Sequence, residues 1–227
     1  MAETRLIEMI EGNLRAAYRQ IVPGTMQHSD QLMTERRTNP ELRNYWFYPA
    51  DGILYFMEKG KPHMAITREK DNLILRHINE AFAKLSTRVN YRPDPEEARV
   101  SIEASETFVV DMSDLCHAKL DDEYCFLSIP TKGAKLNKAE QTLAERIYGH
   151  GSDFIDNMEM LSLAGISNTK IYMLSPAYVI KTAKKGLLGR ASFLSFFGDY
   201  SRFSAGDRGI LDFAGLRGVR RASEIKR

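Results

Sequence analysis

Ile53-Leu54-Tyr55-Phe56-Met57, then Glu58-Lys59-Gly60-Lys61-Pro62, then His63-Met64-Ala65-Ile66-Thr67: this stretch decides the fold class. Two short apolar runs flank a loop of about five residues that contains glycine, which is the pattern of an antiparallel hairpin. Side chains alternate between the faces of such a pair. Ile53-Tyr55-Met57 or Leu54-Phe56 is therefore expected inside, with Lys59, Gly60 and Lys61 exposed at the tip.

Upstream, Leu6, Ile7, Ile10, Leu14, Ala17, Tyr18 and Ile21 recur at three- and four-residue spacing, which predicts a helix stopped by Pro23-Gly24. Residues 25–44 are polar, and one or two helical turns are expected there, with Asn39 as N-cap and Pro40 at the first helical position. Downstream, Asp71 or Asn72 caps a helix whose apolar face is Leu73, Ile74, His77, Ile78, Ala81, Phe82 and Leu85. Asn90 to Pro95 reads as a loop. Val100, Ile102 and Ala104 alternate with polar residues, and Phe108, Val110 and Met112 resume, as a second hairpin or one long bent strand. Tyr124–Ile129 is a strand closed by Pro130.

Asn137 caps a helix through Ala139, Leu143 and Ile147 to a break at Gly149-His150-Gly151. Ser152 then caps a second helix, with Phe154, Ile155, Met158 and Leu161 facing inward. Ile171–Leu174 is a strand, and Ala177–Ile180 a short strand or helix after Pro176. The order shows no regular alternation of strand and helix and no G-x-G-x-x-G. It reads as α+β, a mostly antiparallel sheet with flanking helices and an irregular basic C-terminal arm.

The composition, 43% hydrophobic and 27% charged, is that of a chain that buries a core. Charge is unevenly spread. Residues 181–227 hold eleven basic and four acidic side chains, whereas residues 1–180 hold 21 basic and 26 acidic ones. Seven of the fifteen glycines fall in 181–227, interleaved with aromatics. Two units follow: a globular α+β domain over 1–180 and a Gly- and aromatic-rich arm over 181–227 that must lie on its own body, a sister copy or another partner.

Sites for small-molecule chemistry are weakly marked. Pro130-Thr131-Lys132-Gly133-Ala134-Lys135 lacks the spacing of a phosphate-binding loop. Cys116-His117 and Cys125, with Asp121 and Asp122 between, lack paired knuckles, so no metal and no cofactor is expected. His150, between two glycines, is the histidine with the most exposed setting. Asp51 and Glu58-Lys59 resemble a nuclease carboxylate set, but an extended chain would hold them roughly 23 Å apart. Catalytic residues are therefore left unassigned.

The arm carries the functional expectation. Its cations Lys184, Lys185, Arg190, Arg202, Arg208, Arg217, Arg220 and Arg221 neutralise acidic groups, and Phe196, Phe197 and Phe213 supply apolar or stacking faces. The reading is a non-enzymatic subunit of a larger assembly, docking through this arm on another protein subunit, on copies of itself or on nucleic acid. The alternative is a hydrolase or nuclease with a site assembled from scattered polar residues. The first residues contain no uncharged apolar core of an export signal, and no run approaches the ~20 apolar residues that span a bilayer. A cytoplasmic protein with two reduced cysteines and no membrane partner is expected.

Overall fold

The computed structural model describes residues 6–10, 27–40, 42, 47, 49–68, 73, 90–115, 117–133, 135–197, 200–205 and 216–220. In chain order the elements are β1 (Leu6–Ile10), α1 (Ser29–Thr38), β2 (Gly52–Glu58), β3 (Lys61–Thr67), α2 (Pro95–Glu103), β4 (Phe108–Asp111), β5 (Ala118–Lys119) and β6 (Tyr124–Pro130). There follow α3 (Lys138–Tyr148), α4 (Ser152–Leu163), β7 (Asn168–Leu174), α5 (Pro176–Thr182), β8 (Leu188–Ala191), β9 (Phe193–Phe197), β10 (Tyr200–Ser204) and β11 (Leu216–Arg220). Among the described residues the strands form a four-stranded sheet ordered β4-β3-β2-β8, a five-stranded sheet ordered β5-β6-β7-β10-β9, and the pair β1-β11. Neighbours are antiparallel except β7 and β10. The architecture is α+β.

The hairpin is present as β2 and β3, paired from Gly52↔Thr67 to Glu58↔Lys61. Its loop is two residues long rather than five. Lys59 and Gly60 both have positive φ, 49° and 82°, so the turn has the handedness that matches strand twist. Pro62 precedes the first residue paired with β4, a position that tolerates proline. Both faces of β2 are covered. Ile53 and Tyr55 enter the main core with Leu127, Ile171, Leu194 and Phe203, while Leu54 joins Ala65, Leu73 and Ala98 in a smaller one.

Several local expectations are corrected. Residues 95–103 are helical, not extended: the Asp94 carboxylate accepts from the N–H groups of Glu96 and Glu97 at 3.0 and 3.1 Å, and Pro95 opens the first turn. The buried positions are Ala98 and Ser101, and Val100 is exposed. Asn39 ends α1 and also precedes the expected short helical turn, which opens at Pro40 and in which the Leu42 N–H donates to the Asn39 carbonyl at 3.1 Å. Helix α1 carries Asp30 in its first turn and Arg36 and Arg37 in its last, which suits its dipole. Residues 6–10, expected as helix, form β1 against β11, a pairing across almost the whole chain that local periodicity does not register. The remainder of that expected helix, and the one over 71–85 apart from Leu73, lie outside the described residues. Ile155, expected inside α4, faces solvent.

Part of the expected irregular arm is regular. Residues 188–204 contribute β8 to the four-stranded sheet and β9 and β10 to the five-stranded one. Leu188, Phe193, Leu194 and Phe203 are almost wholly buried. One residue, Ser192, separates β8 from β9, so the chain crosses between sheets there. Its hydroxyl, buried, donates to the Asp51 carbonyl at 2.7 Å. Glycine and apolar residues that look irregular in sequence are here the inner positions of short strands.

A buried polar cluster ties α1 to the β2–β3 pair. The Asp51 carboxylate accepts from the Ser29 N–H at 2.8 Å and from Arg68 Nε at 2.6 Å. Arg68 also donates to Asp30 at 2.8 Å, to the Ser29 hydroxyl at 3.0 Å and to the Arg146 carbonyl. Burial pushes the Asp51 carboxyl pKa upward, but the charges of Arg68 and His28 and the Ser29 N–H outweigh it and hold it below the usual range.

Candidate interaction face

Alternation along the central strands of the five-stranded sheet separates two faces. Cys125, Leu127 and Ile129 of β6, Ile171 and Met173 of β7 and Phe203 of β10 point into the core. The opposite face carries Phe126 and Ser128 of β6, Lys170 and Tyr172 of β7, and Arg202 of β10. Register brings them together: Phe126 pairs with Tyr172, and Lys170 lies directly opposite Arg202. Ser128 on this face is exposed, and the other four are half-buried.

These side chains form one connected cluster. The Phe126 and Tyr172 rings lie 5.6 Å apart at 38°. Lys170 Nζ stands 4.8 Å from the Phe126 ring centre. The Arg202 guanidinium is 5.7 Å from the Tyr172 ring and 5.5 Å from the Phe193 ring. Each such contact stabilises by roughly 0.5–1 kcal/mol at an exposed site. No carboxylate among the described residues pairs with Lys170 or Arg202, and Arg202 Nε is buried without a hydrogen-bond partner. Two like charges directly opposite each other in a ladder are destabilising. The rings hold both cations in place, and nothing of opposite sign in the described chain answers them.

The residues expected to dock are distributed as follows. Arg202 belongs to this face. Lys184 and Lys185 are exposed in the helical turn after α5. Arg190 is completely buried in β8, where it donates to the Gly189 carbonyl at 2.9 Å and to Asn90; it serves the interior rather than a surface. Phe196 and Phe197 occupy the end of β9, opposite Ser201 and Tyr200. Arg217 and Arg220 are in β11, opposite Met9 and Leu6. Arg208, Phe213 and Arg221 lie outside the described residues. Phe126, Lys170 and Tyr172 were not singled out by sequence. The signal was there in Tyr124-x-Phe126 and Lys170-x-Tyr172, but the second strand reads from Ile171, one residue too late to show the alternation.

The other candidates are ordinary in their surroundings. His150 Nδ1 lies 2.9 Å from a Glu145 carboxylate oxygen, at the solvent rim of a hollow of about 500 Å³ lined by Asp30, Gln31, Glu35 and Asp153. Cys125 donates to the Leu174 carbonyl at 3.5 Å, and burial pushes its thiol pKa up to about 12. His117 Nδ1 lies 2.9 Å from the Leu115 carbonyl, while Cys116 is outside the described residues. No described helix is long and apolar enough to cross a membrane.

The arrangement of sheets and helices is that of a C-type lectin-like fold. A solved structure of a protein from Nanoarchaeota, described as a C-type lectin fold that accommodates massive sequence variation, superposes with a TM-score of 0.64. The alignment covers 96% of this chain and 99% of that one at 16% sequence identity, a likeness of fold. No family model and no curated protein matches the chain.

Proposed function

We propose that this chain is a non-enzymatic recognition subunit, a C-type lectin-like scaffold that holds a protein partner through side chains of its C-terminal half. One observation carries the reading: the half-buried cluster of Arg202, Tyr172, Phe126 and Lys170 on the face of the five-stranded sheet turned away from the main core. Arginine and tyrosine set in partly desolvated surroundings are the residue types that dominate protein interfaces. Nucleic acid is the less favoured partner, because backbone tracking needs a row of cations along a groove, and this face presents two side by side. The solved nanoarchaeal relative in fold is described as accommodating massive sequence variation, which suits a scaffold whose core is independent of its presented side chains. A cytoplasmic location and docking contributions from exposed Lys184 and Lys185 belong to the same reading.

The test is the state of the protein in its native cells. It should elute from a sizing column within a complex whose size nuclease treatment leaves unchanged. Elution as a monomer, or collapse of the complex on nuclease treatment, would refute the proposal.

A further inference from the structure

We infer that the register pair Lys170–Arg202 is a binding site for the carboxylates of an acidic protein segment. The inference rests on the recognition reading above and adds the chemistry of the partner. Three features of the site lead to it. First, β7 and β10 run parallel with Lys170 opposite Arg202, so two positive charges sit on adjacent strands, about 4.8 Å apart at the backbone. Second, neither has an acidic partner among the described residues, in a chain that pairs Arg37 with Asp153 and Asp156, Lys61 with Asp111 and Lys119 with Asp122. Third, the cations are pre-placed: Lys170 lies over Phe126, and Arg202 is flanked by Tyr172 and Phe193.

An oxyanion seated between the two side chains removes their mutual repulsion. A planar carboxylate also matches the guanidinium fork in two parallel hydrogen bonds. Phe126 and Tyr172 beside the pair give the segment's apolar atoms a surface to cover, which excludes water from the charged contact. Charge complementarity and these rings favour an acidic polypeptide over a phosphodiester chain. The cluster offers one anchoring point flanked by apolar area, where a nucleic acid strand needs repeated cations.

The experiment uses the full chain and two fluorescent probes of equal length, poly-glutamate and oligothymidylate, with binding followed by anisotropy at low and moderate salt. Poly-glutamate should bind saturably and shift the backbone amide signals of Lys170, Tyr172 and Arg202. Lys170→Gln and Arg202→Gln should each weaken it by about tenfold or more. Arg202→Lys, which keeps the charge and loses the fork, should fall between. Lys170 is half-exposed, so if Arg202→Gln fails to fold, Lys170→Gln decides alone. Absence of saturable poly-glutamate binding, equal binding by a folded variant, or tighter binding of oligothymidylate would overturn the site. A native complex that survives in the Lys170→Gln protein would likewise overturn it while leaving the recognition reading intact.

Discussion

The Tyr55 hydroxyl donates to the Ala205 carbonyl at 3.0 Å, and so fastens β2 of the four-stranded sheet to the residue that follows β10 of the five-stranded one. The same oxygen accepts from the Leu174 N–H at 3.2 Å. It sits in the core, fully buried, and burial raises its pKa far above the ordinary phenol range. Tyr55→Phe keeps the ring and leaves a buried donor and a buried acceptor unanswered, at a cost of about 1–3 kcal/mol. Urea unfolding should show a lowered midpoint with an unchanged slope. An unchanged midpoint would mean that the two sheets are held by apolar contact alone.

Removal of residues 184–227 should unfold the remainder. The deleted segment supplies Leu188, Phe193, Leu194 and Phe203 to the core and the strand that lies between β7 and β9. Loss of several fully buried large side chains exceeds the total stability of an ordinary domain, at about 2–5 kcal/mol for each truncation to alanine. The truncated protein should show no cooperative thermal transition. A native-like amide spectrum for residues 1–183 would contradict this packing.

Acid should weaken the protein through Asp51. Its carboxyl is held below the unfolded value of about 3.9, so its contribution is complete above that pH and is lost as pH falls through the lower folded value. Asp51→Asn should cost about 1–3 kcal/mol at neutral pH, because the buried Arg68 loses one of its two carboxylate partners and keeps only Asp30. The variant should also flatten the acid limb of stability against pH, read as urea midpoints. Parallel acid limbs in the two proteins would exclude Asp51 as the titrating group.

Cys125 should resist a thiol reagent in the native protein, since its thiolate is suppressed and its sulfur is buried. In denaturant, Cys116 and Cys125 should both react without prior reduction. A mass consistent with a bridge would place the chain in an oxidising compartment.

What the sequence makes legible is what local chemistry controls. Asn137 and Glu140 form a reciprocal cap at 2.9 Å in each direction, so the start of α3 is visible from four residues. The Ile53–Thr67 hairpin needs only alternation and a turn. By contrast, α2 is hidden because Val100, Ile102 and Ala104 mimic a strand, while the deciding contact is the Asp94 carboxylate on two amides. The strands from Leu188 to Ser204 are hidden for a different reason. Their partners β2 and β7 are remote or separated by other elements, and short strands rich in Gly and Ser leave a weak local pattern. The Lys170–Arg202 pair is created by that same remote pairing, and no inspection of either segment alone brings the two cations together.

The single-residue passage at Ser192 has a consequence for synthesis. As the chain leaves the ribosome, the five-stranded sheet lacks two of its strands until Ser204 has emerged, and β2 waits for an edge partner 135 or so residues downstream. Because β8 and β9 are joined through one residue, docking of either fixes where the other must land. Both sheets therefore close as one late event, with apolar strand edges of the earlier chain exposed until then. A translational pause before Leu188 should prolong that exposed interval.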